Sequence, residues 1–97
     1  MKTNIKVTTK NIDTGIKTEP SKCPIANSLK DKFKHLTHVR VLPDIVTITV
    51  LRNKKPVSYN AKTPEHARTF IKRFDDGSLV KPINVNFNFK KAEFTLA

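Results

Sequence analysis

The stretch 81-KPINVNFNFK-90 decides the fold. Ile83, Val85, Phe87 and Phe89 alternate with Asn84, Asn86 and Asn88, and side chains on a strand turn to opposite faces with a period of two. This alternation predicts one strand with a packed apolar face and an uncharged amide face, the pattern of an antiparallel sheet wetted on one side. An apolar strand face needs cover. Upstream, Ala67, Phe70, Ile71 and Phe74 recur at i, i+3, i+4, i+7, a helical stripe that is stable only when buried. Thr63 is expected to cap that helix, with Pro64 in its first turn and Gly77 after its end. Asp75 and Asp76 then sit at the negative end of the helix dipole, which costs roughly 0.3–1 kcal/mol each when exposed.

The same two periods organise the rest of the chain. Ile5 and Val7 mark a short strand, after which Thr9 is expected to cap a single helical turn ended by Gly15 in the left-handed conformation. Ile12 and Ile16 would point inward. Pro24 suits the first position of a helix over residues 24–35, whose apolar face is Ile25, Ala26, Leu29, Phe33 and Leu36. HVRVL and DIVTITVL read as strands, with Val46, Ile48 and Val50 on one side and Thr47 and Thr49 on the other. RNKKP is a turn, and VSY returns with Val57 and Tyr59 on one face, giving a hairpin or meander. The sum is a single α+β domain over residues 1–97: a small antiparallel sheet of about four to five strands with two helices packed on it. Residues 90–97 are read either as a flexible C-terminal tail or, through Phe94 and Leu96, as an extension of the core.

Composition narrows the function without naming it. No window approaches the ~18 apolar residues that cross a bilayer, and MKTNIKVTTK lacks the apolar core of a secretory signal. No membrane role is therefore expected. A lone cysteine forms no internal disulfide and fits the cytoplasm. The formal net charge of +11 invites a polyanion or an acidic partner. However, lysine outnumbers arginine fifteen to four, and asparagine and isoleucine stand at eight each. Those three frequent types share AT-rich codons, so base composition alone could supply much of the charge.

One set of segments has a familiar order: IKVTTKNIDTGI, CPIANSL, a strand-rich middle, ARTFIKRFDDG and a final alternating strand. It resembles a group of short uncharacterised proteins of bacteria and their phages, from about Ile5 to Phe89, most recognisably in CPIA (residues 23–26) and FDDG (residues 74–77). The resemblance implies a shared architecture and carries over no catalytic residue.

Chemical candidates are few. Cys23 precedes a helix N-terminus, where the dipole favours a thiolate, with His35 or His38 as a conceivable base. Yet His35 stands roughly 15 Å away along the same helix at 1.5 Å per residue, and a buried cysteine acting as a small apolar residue is the commoner arrangement. Cys23, His35, His38 and His66 lack the locally paired spacing of a zinc site. Asp75 and Asp76 are adjacent and diverge on regular structure, and no glycine-rich phosphate loop exists. The expectation is a non-enzymatic protein with no cofactor and no metal.

Two binding readings remain at this stage. Lys30, Lys34, Lys54, Lys55, Lys72, Arg73, Lys90 and Lys91 could contact nucleic-acid phosphates if the fold gathers them on one side; the phenylalanines lie on core stripes and offer no stacking platform. Alternatively the chain is a protein-interaction module, such as an adaptor, a phage modulator of a host factor or a minor virion component. It would then use its asparagine face and free sheet edges. The oligomeric state is left open by the sequence.

Overall fold

The computed structural model describes residues 1–92, so Phe94 and Leu96 lie outside the described residues. The chain runs β1 (Lys2–Val7), α1 (Thr9–Thr14), α2 (Pro24–Lys32), β2 (Leu36–Val41), β3 (Ile45–Arg52), β4 (Lys55–Lys62), α3 (Glu65–Asp75), β5 (Ile83–Asn88) and β6 (Lys90–Lys91). The α+β class stands, but six strands form two antiparallel sheets, β1-β5 and β2-β3-β4-β6, and the helices number three. The sheet expected to be single is divided because one run of chain serves both parts. Residues 83–88 pair with β1, Phe89 follows, and Lys90–Lys91 pair with Asn60 and Tyr59 of β4. Lys90 and Lys91, in the segment read as either a tail or an extension of the core, form the short strand β6.

Alternation drives the packing as its period demands. Ile5, Val7, Val39, Val41, Val46, Ile48, Val85, Phe87 and Phe89 share one core with Ile25, Ala26 and Leu29 of α2 and Ala67, Phe70 and Ile71 of α3. Phe87 and Phe89 lie two residues apart on this face with ring centroids 5.3 Å apart. Helix α2 touches both β1 and β2, the two strands farthest apart in the order β1-β5/β6-β4-β3-β2. The strands therefore curl around α2, with the buried apolar residues inside and mostly polar ones outside, where Ile45 and Leu51 are the exposed apolar exceptions on β3. Helix α3 crosses the end where Arg68 donates to Pro43 O at 3.1 Å and the Asp75 carboxylate accepts the Thr18 N–H at 2.9 Å. This bond gives Asp75 a structural task. It holds Thr18, whose φ is +60°.

Several local expectations shift. Thr8, not Thr9, caps α1, in a reciprocal capping box with Asn11. Buried Asn11 also donates to Asp31 Oδ2 at 2.8 Å, fastening α1 to α2. Gly15 is extended (φ −70°) and not left-handed; what it supplies is space, because a Cβ there would lie 2.7 Å from Pro24 Cδ. Ile16 is exposed, since the chain leaves the core at Gly15. Helix α2 stops at Lys32, and Phe33 and Leu36 are only partly buried. Thr63 does not cap α3: Pro64 holds that position without a side-chain bond, while buried Thr63 donates its hydroxyl to Leu42 O at 2.8 Å. Gly77 does adopt positive φ, +83°, the conformation glycine accepts most readily. At the β3–β4 tip Asn53 and Lys54 have φ of +52° and +65°, the pair of left-handed residues a two-residue hairpin loop requires.

Candidate functional site

The strands separate the charge. They carry Lys2, Lys6, Arg40, Arg52, Lys55, Lys62, Lys90 and Lys91 and no Asp or Glu. Every carboxylate among the described residues lies on a helix or a loop: Asp13, Glu19, Asp31, Asp44, Glu65, Asp75 and Asp76. Register sharpens this. With Ile5, Val39, Val46, Ala61 and Val85 buried, their alternating neighbours point away from the helices. This outer face presents Lys2, Lys6, Arg40, Lys62 and Lys90, all exposed.

Between these cations lies an uncharged polar field. Asn4 donates to Asn86 Oδ1 across the β1–β5 pair at 2.6 Å, Thr47 donates to Asn60 Oδ1 at 2.8 Å, and the Thr49 and Ser58 hydroxyls are 2.8 Å apart. The rows Arg40–Thr47–Asn60–Lys90 and Lys6–Asn84 follow from the strand pairings. Among the described residues the face carries no phenylalanine or tyrosine: Tyr59 sits on the inner row, with the Arg52 guanidinium 5.5 Å from its ring centroid.

The eight residues chosen from sequence do not come together. Lys30 ends its reach on Ser21 O at 2.7 Å, and Lys34 follows α2. Lys72 and Arg73 belong to α3, and Arg73 reaches Leu79 O at 3.4 Å. Lys54 and Lys55 stand at the hairpin tip, and Lys91 is on the inner row opposite Tyr59. Only Lys90 joins the outer face. Sequence reasoning passed over Lys2, Lys6, Arg40 and Lys62 because it looked for adjacent or helix-spaced cations. The available signal was strand parity: each alternates with a buried residue.

Where β5 leaves β4 a cleft of about 930 Å³ opens, lined by residues that include Asp44, Ile45, Lys62, Asn86, Asn88, Lys90 and Lys91.

Cys23 is 4% exposed. It caps α2, its Sγ accepting the Ala26 N–H at 3.4 Å. Burial raises the thiol pKa above its ordinary 9.0, against hydrogen bonds from Ala26 and Ile25 that lower it. Desolvation thus outweighs the helix terminus, and the sulfur stays a neutral thiol. Because the folded pKa lies above the unfolded one, the stabilising contribution is complete below 9.0 and is lost as pH rises through the folded value. Cys23→Ala should therefore lose less thermal stability than the parent between about pH 8 and pH 10.5. Parallel melting curves check this, and equal slopes would place the thiol in water.

The histidines are apart in role. His66 Nε2 lies 3.1 Å from Asn84 O and must donate, since a carbonyl only accepts. The His35 carbonyl accepts the Leu51 N–H at 3.0 Å, and His38 pairs with Thr49 across β2–β3. Among the described residues no three His, Cys, Asp or Glu side chains group as metal ligands would. No described helix is long and apolar enough to cross a membrane. No protein-family model, curated protein or solved structure matches the chain.

Proposed function

We propose that this protein is a non-enzymatic binder of polyanions, nucleic acid foremost, that docks its outer sheet face on the phosphate backbone. The observation that carries the reading is the segregation of charge: among the described residues the strands hold no carboxylate, and five of their eight cations, Lys2, Lys6, Arg40, Lys62 and Lys90, turn to the outer face. A surface of one sign produces a coherent potential, whereas the same charges mixed with carboxylates would cancel within a Debye length of about 8 Å at physiological salt. Lysine-rich, aromatic-free contacts suit phosphates and not base stacks, so binding should be weakly selective for sequence. The asparagine, serine and threonine side chains between the cations add hydrogen bonds to phosphate and sugar oxygens. The working compartment proposed is a bacterial cytoplasm, with a bacterial or phage source; a lone, buried cysteine outside any disulfide suits it.

Titration with a generic duplex DNA and a duplex RNA at several salt concentrations tests the reading. A plot of log K against log salt should fall with a slope of roughly −3 to −4.5, about −0.9 for each of the outer-face cations that finds a phosphate. Sequence should matter little. Absence of binding at about 20 mM salt, where phosphate contacts are strongest, would remove the proposal.

A further inference from the structure

We propose that the cleft between β4 and β5 is a strand-addition site that takes an extended acidic peptide along the free edge of β5. Register carries this inference. The Phe89 N–H donates to Met1 O at 2.9 Å, and the pairing continues through Thr3↔Phe87 and Ile5↔Val85. In an antiparallel ladder, pairs that exchange both main-chain bonds alternate with pairs that exchange none. The odd-numbered residues of β5 therefore give their N–H and C=O groups to β1, and the even-numbered residues turn theirs away from it. Asn84 does so, its carbonyl accepting from His66 of α3.

On the facing strand, the Ala92 N–H donates to Ser58 O and Asn60 pairs with Lys90. Even-numbered residues of β4 thus face β6. Two residues further the ladder would set Lys62 against Asn88, but it stops at Asn60↔Lys90. The main-chain groups of Asn86 and Asn88 open into the cleft instead.

A free strand edge is a template for another strand. Among the described lining residues, Lys62, Lys90 and Lys91 stand against one carboxylate, Asp44. A second copy of this basic chain would be repelled, whereas a strand with Glu or Asp at alternate positions is complementary in charge. Ile45 and Ala61 supply the apolar part of the wall. The strand-addition geometry is that of the main chain alone, while the acidic character of the occupant draws on Lys62 and Lys90, which the outer face also uses.

The probe is a blocked octapeptide of alternating Thr and Glu, added to the full chain while amide hydrogen exchange is followed by NMR. The Asn86 and Asn88 amides should slow at least ~10-fold at saturation. Of two peptides methylated at alternate main-chain nitrogens, in opposite phases, one should lose at least ~10-fold in affinity because its donors toward β5 are gone. Replacement of Glu by Lys in the peptide should abolish binding. Several results would overturn the proposal: no binding at millimolar peptide, binding that leaves both amides unprotected, or equal affinity of both methylated peptides. Duplex DNA protecting the same two amides would also overturn it, by assigning the cleft to nucleic acid.

Discussion

Phe89→Ala lowers the unfolding free energy by about 3–5 kcal/mol, the usual cost of emptying a buried phenylalanine site. The side chain is fully buried, and its ring lies against Phe87 with an interplanar angle of 35°. Its place in the topology raises the stakes. Residues 83–88 pair with β1 and residues 90–91 with β4, so Phe89 is the pivot at which one run of chain changes partners. Small domains hold only about 5–15 kcal/mol in total, and the substitution should remove a large share of it. Phe89→Leu, which keeps most of the apolar volume, should cost under about 1.5 kcal/mol. Leu79→Ala, at a site 94% exposed, should stay within about 0.5 kcal/mol. Urea denaturation followed by circular dichroism measures all three. A loss below about 1 kcal/mol for Phe89→Ala would mean that the pivot ring is not the interior anchor described.

The triple substitution Arg40→Glu, Lys62→Glu, Lys90→Glu should weaken duplex binding at least ~100-fold at about 50 mM salt and reduce the salt slope by nearly three units, close to one per phosphate contact removed. A matched triple on the helix side, Lys32→Glu, Lys34→Glu, Lys72→Glu, changes the net charge by the same amount. All six residues are exposed, so neither set should disturb the core, and coincident melting curves establish that. The helix-side variant should lose less than ~10-fold and keep its slope within about one unit, since it alters only the general attraction. Equal losses from the two triples would assign binding to overall charge and withdraw the special standing of the sheet face. The comparison separates total charge from its arrangement, which the frequency of lysine by itself leaves entangled.

Most of the elements were legible in the residues. The alternation of Ile83, Val85, Phe87 and Phe89 against asparagines, the stripe Ala67–Phe70–Ile71–Phe74 and the β-branched run before Arg52 each matched an element found in the structure. The endings were less legible, and the reasons are local competitions. Thr63 has the chemistry of a helix cap, but its hydroxyl is drawn to Leu42 O, a partner twenty-one residues away. Gly15 resembles a left-handed terminator, but the Pro24 ring against it asks for an absent Cβ. Cys23 was correctly read as core filler, while its added service as the cap of α2 depends on a sulfur-to-Ala26 geometry that composition does not show.

The candidate site was the least legible part. By itself the amino-acid order determined which residues face inward and which outward, because that follows from a period of two or 3.6 along a single segment. Only the tertiary structure decided which outward residues become neighbours. Lys62 and Lys90 share a face because β6 pairs with β4, and Lys2 lies beside Asn88 because the first strand pairs with the fifth. The physical reason is that strand partners are chosen by burial of a common core over long stretches of chain, at a loop-closure cost that grows only slowly with separation. Nearness in sequence therefore says little about nearness on a sheet. The carboxylate-free face and the cleft beside β5 both follow from those pairings.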